Sequence, residues 1–286
     1  MTGWLFILLS AGCSVIIAHL LKLIEYRKLN TVRVLTANYI TAAAIAWFTP
    51  VKDTGFSFEY EAALPAIGLA LFVGVVFIAN FFIYSKSVDK NGVGISVAAM
   101  RVSLIVPVLV SVLWYFDVLS AAQWFGVILV FTAMFMLMPD KRRILREPLN
   151  AGWLLVLLFL GTGIGETSLM IFEEDFSSVI TKEQFMGTVF ICSFVIGFVY
   201  LAVRGQLKFN RSEIWLGVLI GIPNLYSAIF LINALELLSG AIVYSTINII
   251  TVLGATLLGI LRWRDTLTRM QWAGIILTLI SISLLI

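Results

Sequence analysis

Charge is scarce in this sequence. Only 12% of its 286 residues are Asp, Glu, Lys or Arg, against roughly 25% in a soluble domain. A water-facing surface of ordinary size cannot be built from so few. Histidine is scarcer still: His19 stands alone, which excludes multi-histidine metal sites. The two cysteines, Cys13 and Cys192, sit apart inside apolar runs, with no metal-ligand spacing and no disulfide framework. No Walker sequence is present for ATP-driven pumping, and no acid/base cluster has the make-up of a catalytic centre. We therefore expect no catalytic residue, no metal and no cofactor.

What the chain has instead is apolar length. Hydrophobic residues make up 61% of it, and mean hydropathy is +1.05. A helix crosses a bilayer with about 20 apolar residues, and ten such stretches can be marked, near 3–21, 32–49, 64–84, 93–116, 121–138, 151–172, 183–203, 213–234, 240–261 and 270–286. Short connectors are nearly all that remains, so a separate soluble domain has no room. The expected fold is an all-α polytopic membrane protein with ten transmembrane helices in a lipid bilayer. "LLSAGC" is similar to a lipoprotein cleavage box, but no basic segment precedes it and the apolar run continues past Cys13. Helix 1 therefore reads as a retained span.

The few charges are unevenly placed. Of 19 Lys and Arg residues, 16 fall in the odd-numbered connectors, among them "KLIEYRKLNTVR", "DKRRILRE" and "RGQLKFNR". The even-numbered connectors hold only Lys52 and Lys182, beside Glu59, Glu61, Asp117, Glu173, Glu174, Asp175 and Glu236. Basic connectors stay cytoplasmic, so both termini are expected on the outer side. The basic segments read as topology signals, not as nucleic-acid sites. All eight tryptophans lie near predicted helix ends, where an interfacial aromatic belt anchors them.

The chain also repeats itself. "DVLSAAQWFG" (Asp117–Gly126) matches "DTLTRMQWAG" (Asp265–Gly274) as D-x-L-[S/T]-x-x-Q-W-x-G, at a spacing of 148 residues. The same offset pairs Gly92 with Gly240, and "GWL" at Gly3 returns at Gly152. The predicted organisation is a five-helix repeat over 1–139, a cytoplasmic linker over 140–150 and a second five-helix repeat over 151–286. An odd number of spans per unit inserts the two units in opposite orientations. Inverted repeats are a recurring architecture of secondary transporters, with the substrate site near the midplane between them.

With this repeat in view, "GVGISVAAMRVSLIVPVLVSVLWYFDVLSAAQWFGVIL" and "SGAIVYSTINIITVLGATLLGILRWRDTLTRMQWAGIIL" resemble the drug/metabolite transporter superfamily in its ten-helix, EamA-type form. The resemblance covers the whole chain. It implies transport or export of small metabolites, amino acids or amphipathic compounds across the inner (plasma) membrane of a bacterium. "TSLMIFEEDF" (Thr167–Phe176) is similar to the first helix of small multidrug-resistance transporters, T-T-L-M-K-F-S-E-G-F, and "AHLLKLIE" is its counterpart in the first half. That likeness implies a membrane glutamate that handles protons and cationic compounds. The matching position here is Gly163, and Glu166 follows three residues later, nearly one helical turn away.

Ionisable groups inside a membrane are costly, at about 2.5–3.5 kcal/mol on insertion scales, and are functional suspects for that reason. Glu166 lies two-thirds of the way along the sixth span. It is either a coupling or substrate-binding group or a carboxyl bonded to a neighbouring helix. Arg101 lies near the middle of the fourth span, and either meets an anionic substrate group or partners Glu166. His19, one place beyond the position matching Glu166, can relay protons at physiological pH or simply be hydrogen-bonded. Asn38, Tyr39, Asn80, Tyr84, Asn224, Tyr226, Tyr244 and Asn248 form an uncharged set that either shapes a pocket or bridges helices. Pro223 beside Asn224, and Pro107 in the fourth span, are expected to break their helices. Gly161, Gly163 and Gly165 lack the strand that a dinucleotide loop needs and read as close-packing positions.

The expected function is secondary active transport by alternating access, proton-coupled, with a small polar or amphipathic substrate. The proton would be the coupling ion, nucleic acid is no partner, and the protein would act as a monomer or homodimer. The competitors are an uncoupled facilitator or exchanger, a membrane enzyme acting on a lipid-like substrate, and a structural partner subunit.

Overall fold

The computed structural model describes residues 2–49, 60–91, 93–137, 151–263 and 268–286. Among them are eleven α-helices, numbered here in chain order: α1 (Thr2–Tyr26), α2 (Thr31–Phe48), α3 (Tyr60–Asn91), α4 (Val93–Val102), α5 (Ile105–Leu113), α6 (Ala121–Leu137), α7 (Gly152–Ile171, continued by a π-helical turn over Phe172–Phe176), α8 (Lys182–Val203), α9 (Arg211–Leu235), α10 (Gly240–Trp263) and α11 (Arg269–Leu285). No strand occurs among the described residues. The linker expected at 140–150, Gly92, and Asp265 to Leu267 of the second repeat motif lie outside them, as do Lys52 and Glu59.

This is a helical membrane protein. Six helical stretches are long and apolar enough to cross a bilayer: Thr2–Tyr26, Ala63–Val88, Gly152–Phe176, Lys182–Val203, Arg211–Leu235 and Gly240–Arg262. Ala99–Leu113, Ala121–Leu137 and Arg269–Leu285 are shorter apolar helices. The surface is inverted relative to a soluble protein. Leu8, Leu71, Phe125 and Ile276 are exposed, while Ser10, Thr36, Asn38, Ser193 and Thr246 are buried. Such polar groups stay inside because hydrocarbon offers them no hydrogen bonds.

The helices start where short polar motifs supply caps. Asn30 accepts from Arg33 N to cap α2. Reciprocal capping boxes open α8 (Thr181 with Gln184), α9 (Asn210 with Glu213) and α11 (Thr268 with Gln271), each satisfying two otherwise unpaired backbone N–H groups. Ser120 and Gln123 do the same for α6, at 2.9 and 3.2 Å. The [S/T]-x-x-Q of the repeated motif is therefore a helix-start device used twice. Its glycine has a second task. A Cβ on Gly126 would fall 3.1–3.2 Å from Leu284 and Leu285 of α11, and one on Gly274 about as close to Met136 and Leu137 of α6. Each glycine lets these two helices pack together at one end of their shared seam.

The principal contacts pair α1 with α9 and α10, α2 with α8 and α9, α3 with α7 and α8, the α4–α5 pair with α7 and α10, and α6 with α11. Side-chain ties assign the helix ends. Arg33 bonds the Gln206 carbonyl at 2.8 Å and meets Glu213 at 3.5 Å, and Glu213 also accepts from Asn30 N, so the α1–α2 and α8–α9 turns share one end. Asn91 bonds the backbone of Ala151 in both directions, joining the end of α3 to the start of α7. At another set of ends, Tyr115 donates to Asp175 at 3.0 Å, Asp117 accepts from Gly240 N, and Lys182 bonds Asn233 and meets Glu236. Phe172 and Phe185 stack in the core, with centroids 4.0 Å apart.

Candidate functional site

The fourth apolar stretch is two helices with a break at Ser103–Leu104. Pro107 accounts for it, because proline has no N–H to offer the carbonyl four residues back. That carbonyl, on Ser103, instead accepts from Val106 N at 2.9 Å, a tighter turn. Pro223 behaves differently from expectation. α9 runs uninterrupted from Arg211 to Leu235 with Pro223 inside it. Gly217, Gly221 and Asn224 all press against α2 around the proline, and this packing holds the helix together where one hydrogen bond is lost.

Arg101 occupies the last turn of α4, where the helix dipole favours a cation. Its Nη1 donates to Asn248 Oδ1 at 2.7 Å. Asn248 Nδ2 donates to the Tyr244 carbonyl at 3.1 Å, and the Tyr244 hydroxyl donates to the Glu166 carbonyl at 2.7 Å. A continuous polar line thus joins α4, α10 and α7 across the break. The charges of Arg101 and Glu166 act on each other, and Tyr84 feels Arg101 from α3. Among the described residues, however, no direct ion pair joins Arg101 to Glu166. Protein surrounds both side chains, yet each keeps accessible surface. Glu166 Oε2 itself is buried.

Three glycines bring α7 into this arrangement. A Cβ on Gly163 would lie 2.8 Å from Val106 and 3.2 Å from the Ser103 carbonyl, so α7 touches the break itself. Gly161 meets Asn80 of α3 at 2.7 Å and Gly165 meets Phe77 at 3.3 Å. Asn80 donates to Thr162 at 2.8 Å, one turn before Glu166. The G-x-G-x-G run is a packing device with two faces, toward α3 and toward α4–α5.

Two buried polar atoms here have no protein partner: Glu166 Oε2 and Asn80 Oδ1. Folded proteins leave few such groups unpaired, and the two give the region unused capacity for hydrogen bonds. Ser245 Oγ and Thr246 Oγ1 are also unpartnered, but their positions on α10 turn them off the face that carries Tyr244 and Asn248. Of the residues singled out from sequence, Arg101, Glu166, Tyr244, Asn248, Asn80 and Tyr84 gather here.

The others lie elsewhere. Asn224 Nδ2 donates to Asn38 Oδ1 at 3.2 Å in the α2–α9 seam. Tyr39 stacks on Phe190 of α8, and Tyr226 on Phe230 within α9. His19 is half-buried on α1. Sequence reasoning also missed Asp117 as a structural group. The chain turns at Phe116, whose φ of 58° is uncommon for an aromatic residue. Asp117 then accepts from Gly240 N at 2.9 Å and from Ser111, whose hydroxyl accepts from Ala241 N. The start of α10 is capped from another part of the chain. The signal was there, since Asp117 opens the repeated motif and Gly240 opens its helix.

Comparison with known proteins gives likeness without a role. No family model matches the chain. It is 28% identical over 278 residues to an uncharacterized protein of Haemophilus influenzae, spanning 94% of this chain and 93% of the relative. A solved crystal structure shares the fold with a TM-score of 0.69, covering 98% of this chain and 97% of its own at 12% identity.

Proposed function

We propose that this chain is a secondary active transporter of the drug/metabolite type, with ten spans in two inverted five-helix units, working by alternating access in a bacterial inner membrane. The observation that carries the reading is the polar line from Arg101 through Asn248 and Tyr244 to Glu166, which lies beside a broken helix and unpartnered polar atoms. Broken helices and polar groups at a seam between repeats mark substrate sites in transporters. The helix packing supports the inverted units. Exchanging α1, α2, α3, α4–α5 and α6 with α7, α8, α9, α10 and α11 turns α1–α9 into α3–α7, α2–α9 into α3–α8, and α1–α10 into the α4–α5 contact with α7. The pairs α2–α8 and α6–α11 map onto themselves. The positions of the helix ends are in keeping with opposed orientation. The start of α1 lies against Leu237 and Leu238, whereas the start of α7 lies with Asn91 at the other set of ends.

In this mechanism Glu166 takes up and releases the coupling proton, and Arg101, held by Asn248, supplies a fixed positive charge. A small polar or amphipathic metabolite, such as an amino acid or a cationic compound, competes for the unpartnered groups. The units rock about the seam, and the site faces each side in turn. The basic connectors face the cytoplasm and the termini the outer side.

A thermal-shift screen of amino acids, nucleosides, quaternary amines and sugar phosphates would identify substrates. In liposomes with an imposed pH gradient, such a substrate accumulates through the wild-type protein and not through E166Q. Equal flux with and without the gradient would make the protein an uncoupled facilitator. Product formation from a lipid-like substrate in detergent would make it an enzyme.

A further inference from the structure

The structure contains a recessed site lined by none of Arg101, Asn248, Tyr244 and Glu166. A cleft of about 370 Å³ opens between the last turns of α1 and the first turns of α9. Leu20, Leu23 and Arg27 line one wall, and Arg211, Trp215 and Leu219 the other. The spacing explains the convergence. Positions 20 and 23 share one face of α1, with Arg27 in the turn just past its end, and positions 211, 215 and 219 share one face of α9. Both guanidiniums thus reach the same rim, and the leucines continue down the walls toward the middle of the membrane.

Basic residues near a span end ordinarily reach water as topology signals. Three features go beyond that here. The two arginines face each other across a concavity. Among the described residues neither makes an ion pair or a side-chain hydrogen bond. The acid nearest Arg211 in sequence is engaged elsewhere: Glu213 is buried and held by Arg33, Asn30 and Asn210. The two rim guanidiniums are thus left for an outside anion.

We propose that this cleft binds an anionic phospholipid. Its phosphate bridges Arg27 and Arg211, whose planar forks suit phosphate oxygens. Trp215 lies at headgroup level, as interfacial tryptophans do, and an acyl chain runs along Leu20, Leu23 and Leu219. Apolar walls under a basic rim match the two ends of a phospholipid, and basic recesses between membrane helices recognise anionic headgroups. A free anion would use the rim and leave the leucine walls uncovered.

The test uses the full-length protein in detergent, with bound lipid read by native mass spectrometry. Phosphatidylglycerol and phosphatidylcholine are each titrated into the wild type, R27Q/R211Q and a charge-matched control, K28Q/K208Q, whose lysines are exposed at the same end but outside the cleft. The wild type and the control should retain one phosphatidylglycerol in preference to phosphatidylcholine. The R27Q/R211Q variant should bind it roughly thirtyfold more weakly, the effect of two basic side chains at an anionic surface. Equal retention of the two lipids by the wild type overturns the proposal. So does an equal loss in the control, or displacement of the lipid by millimolar inorganic phosphate. If the double variant does not fold, R27Q and R211Q singly should each show a partial loss, and no loss in either refutes the site.

Discussion

The seam between α2 and α9 offers a sharp test, because the space at one of its glycines is so unequal to that at two glycines elsewhere. A Cβ on Gly217 would meet Ala37 Cβ, lie 2.8 Å from the Val34 carbonyl and 3.0 Å from Asn38 N. All lie well inside the 3.4 Å at which ordinary contact begins, and two are backbone atoms that cannot swing aside. Gly12 and Gly68 have nothing within 4 Å. Replacing a helical glycine with alanine gains roughly 0.5–1 kcal/mol of backbone entropy, and overpacking costs typically about 1–3 kcal/mol. At Gly217 the overpacking wins, by about 1 kcal/mol at the middle of these ranges. At Gly12 only the gain remains. For a large chain the Gly217→Ala loss lowers the melting temperature by roughly 2–4 °C. Cys13 and Cys192, both partly buried in helices, provide the readout, since a thiol-reactive dye fluoresces as unfolding exposes them. G217A should melt below the wild type and G12A at or above it. A G217A protein as stable as the wild type would refute the close α2–α9 approach.

Substitutions at two further positions probe the contacts of α10. N248A removes the acceptor of Arg101 Nη1 and should destabilise the protein by about 1–3 kcal/mol, the cost of a buried donor left unpaired; N248D, which keeps an acceptor, should recover most of the melting temperature, and a neutral N248A would show that the hydrogen bond does not form. D117A strips the cap from α10 and should cost about 0.5–2 kcal/mol, with D117N intermediate by the same thermal assay, whereas no difference between D117A and wild type would remove Asp117 from the capping role.

Local chemistry was the most legible layer of the sequence. Thr181 with Gln184 and Asn210 with Glu213 can be read as helix starts because both partners lie within four residues. Pro107 disclosed the break before α5 because the missing N–H acts on its own helix. Pro223 has the same chemistry and misled, because whether the helix survives is decided by α2, a helix nearly two hundred residues away in sequence. Pairing was harder still. Arg101 and Asn248 could each be singled out as polar residues in apolar runs, but nothing local specifies that one bonds the other and not Glu166. Tyr39 and Tyr226 carried the same signal as Tyr244, yet they stack on phenylalanines, since a tyrosine ring serves an apolar seam as readily as its hydroxyl serves a polar one.

The interleaved packing has a consequence for how the protein is made. α1, α2 and α6 have their principal partners among α8, α9, α10 and α11, all of which leave the ribosome later. A chain arrested after α6 would hold those three helices in the bilayer with only lipid, or the insertion machinery, to cover their small and polar faces. Ser10, which bonds Ser227 of α9, would wait for most of translation to meet its partner. Truncated products should accordingly be short-lived in the cell, and the two parts expressed as separate polypeptides should survive only when both are present.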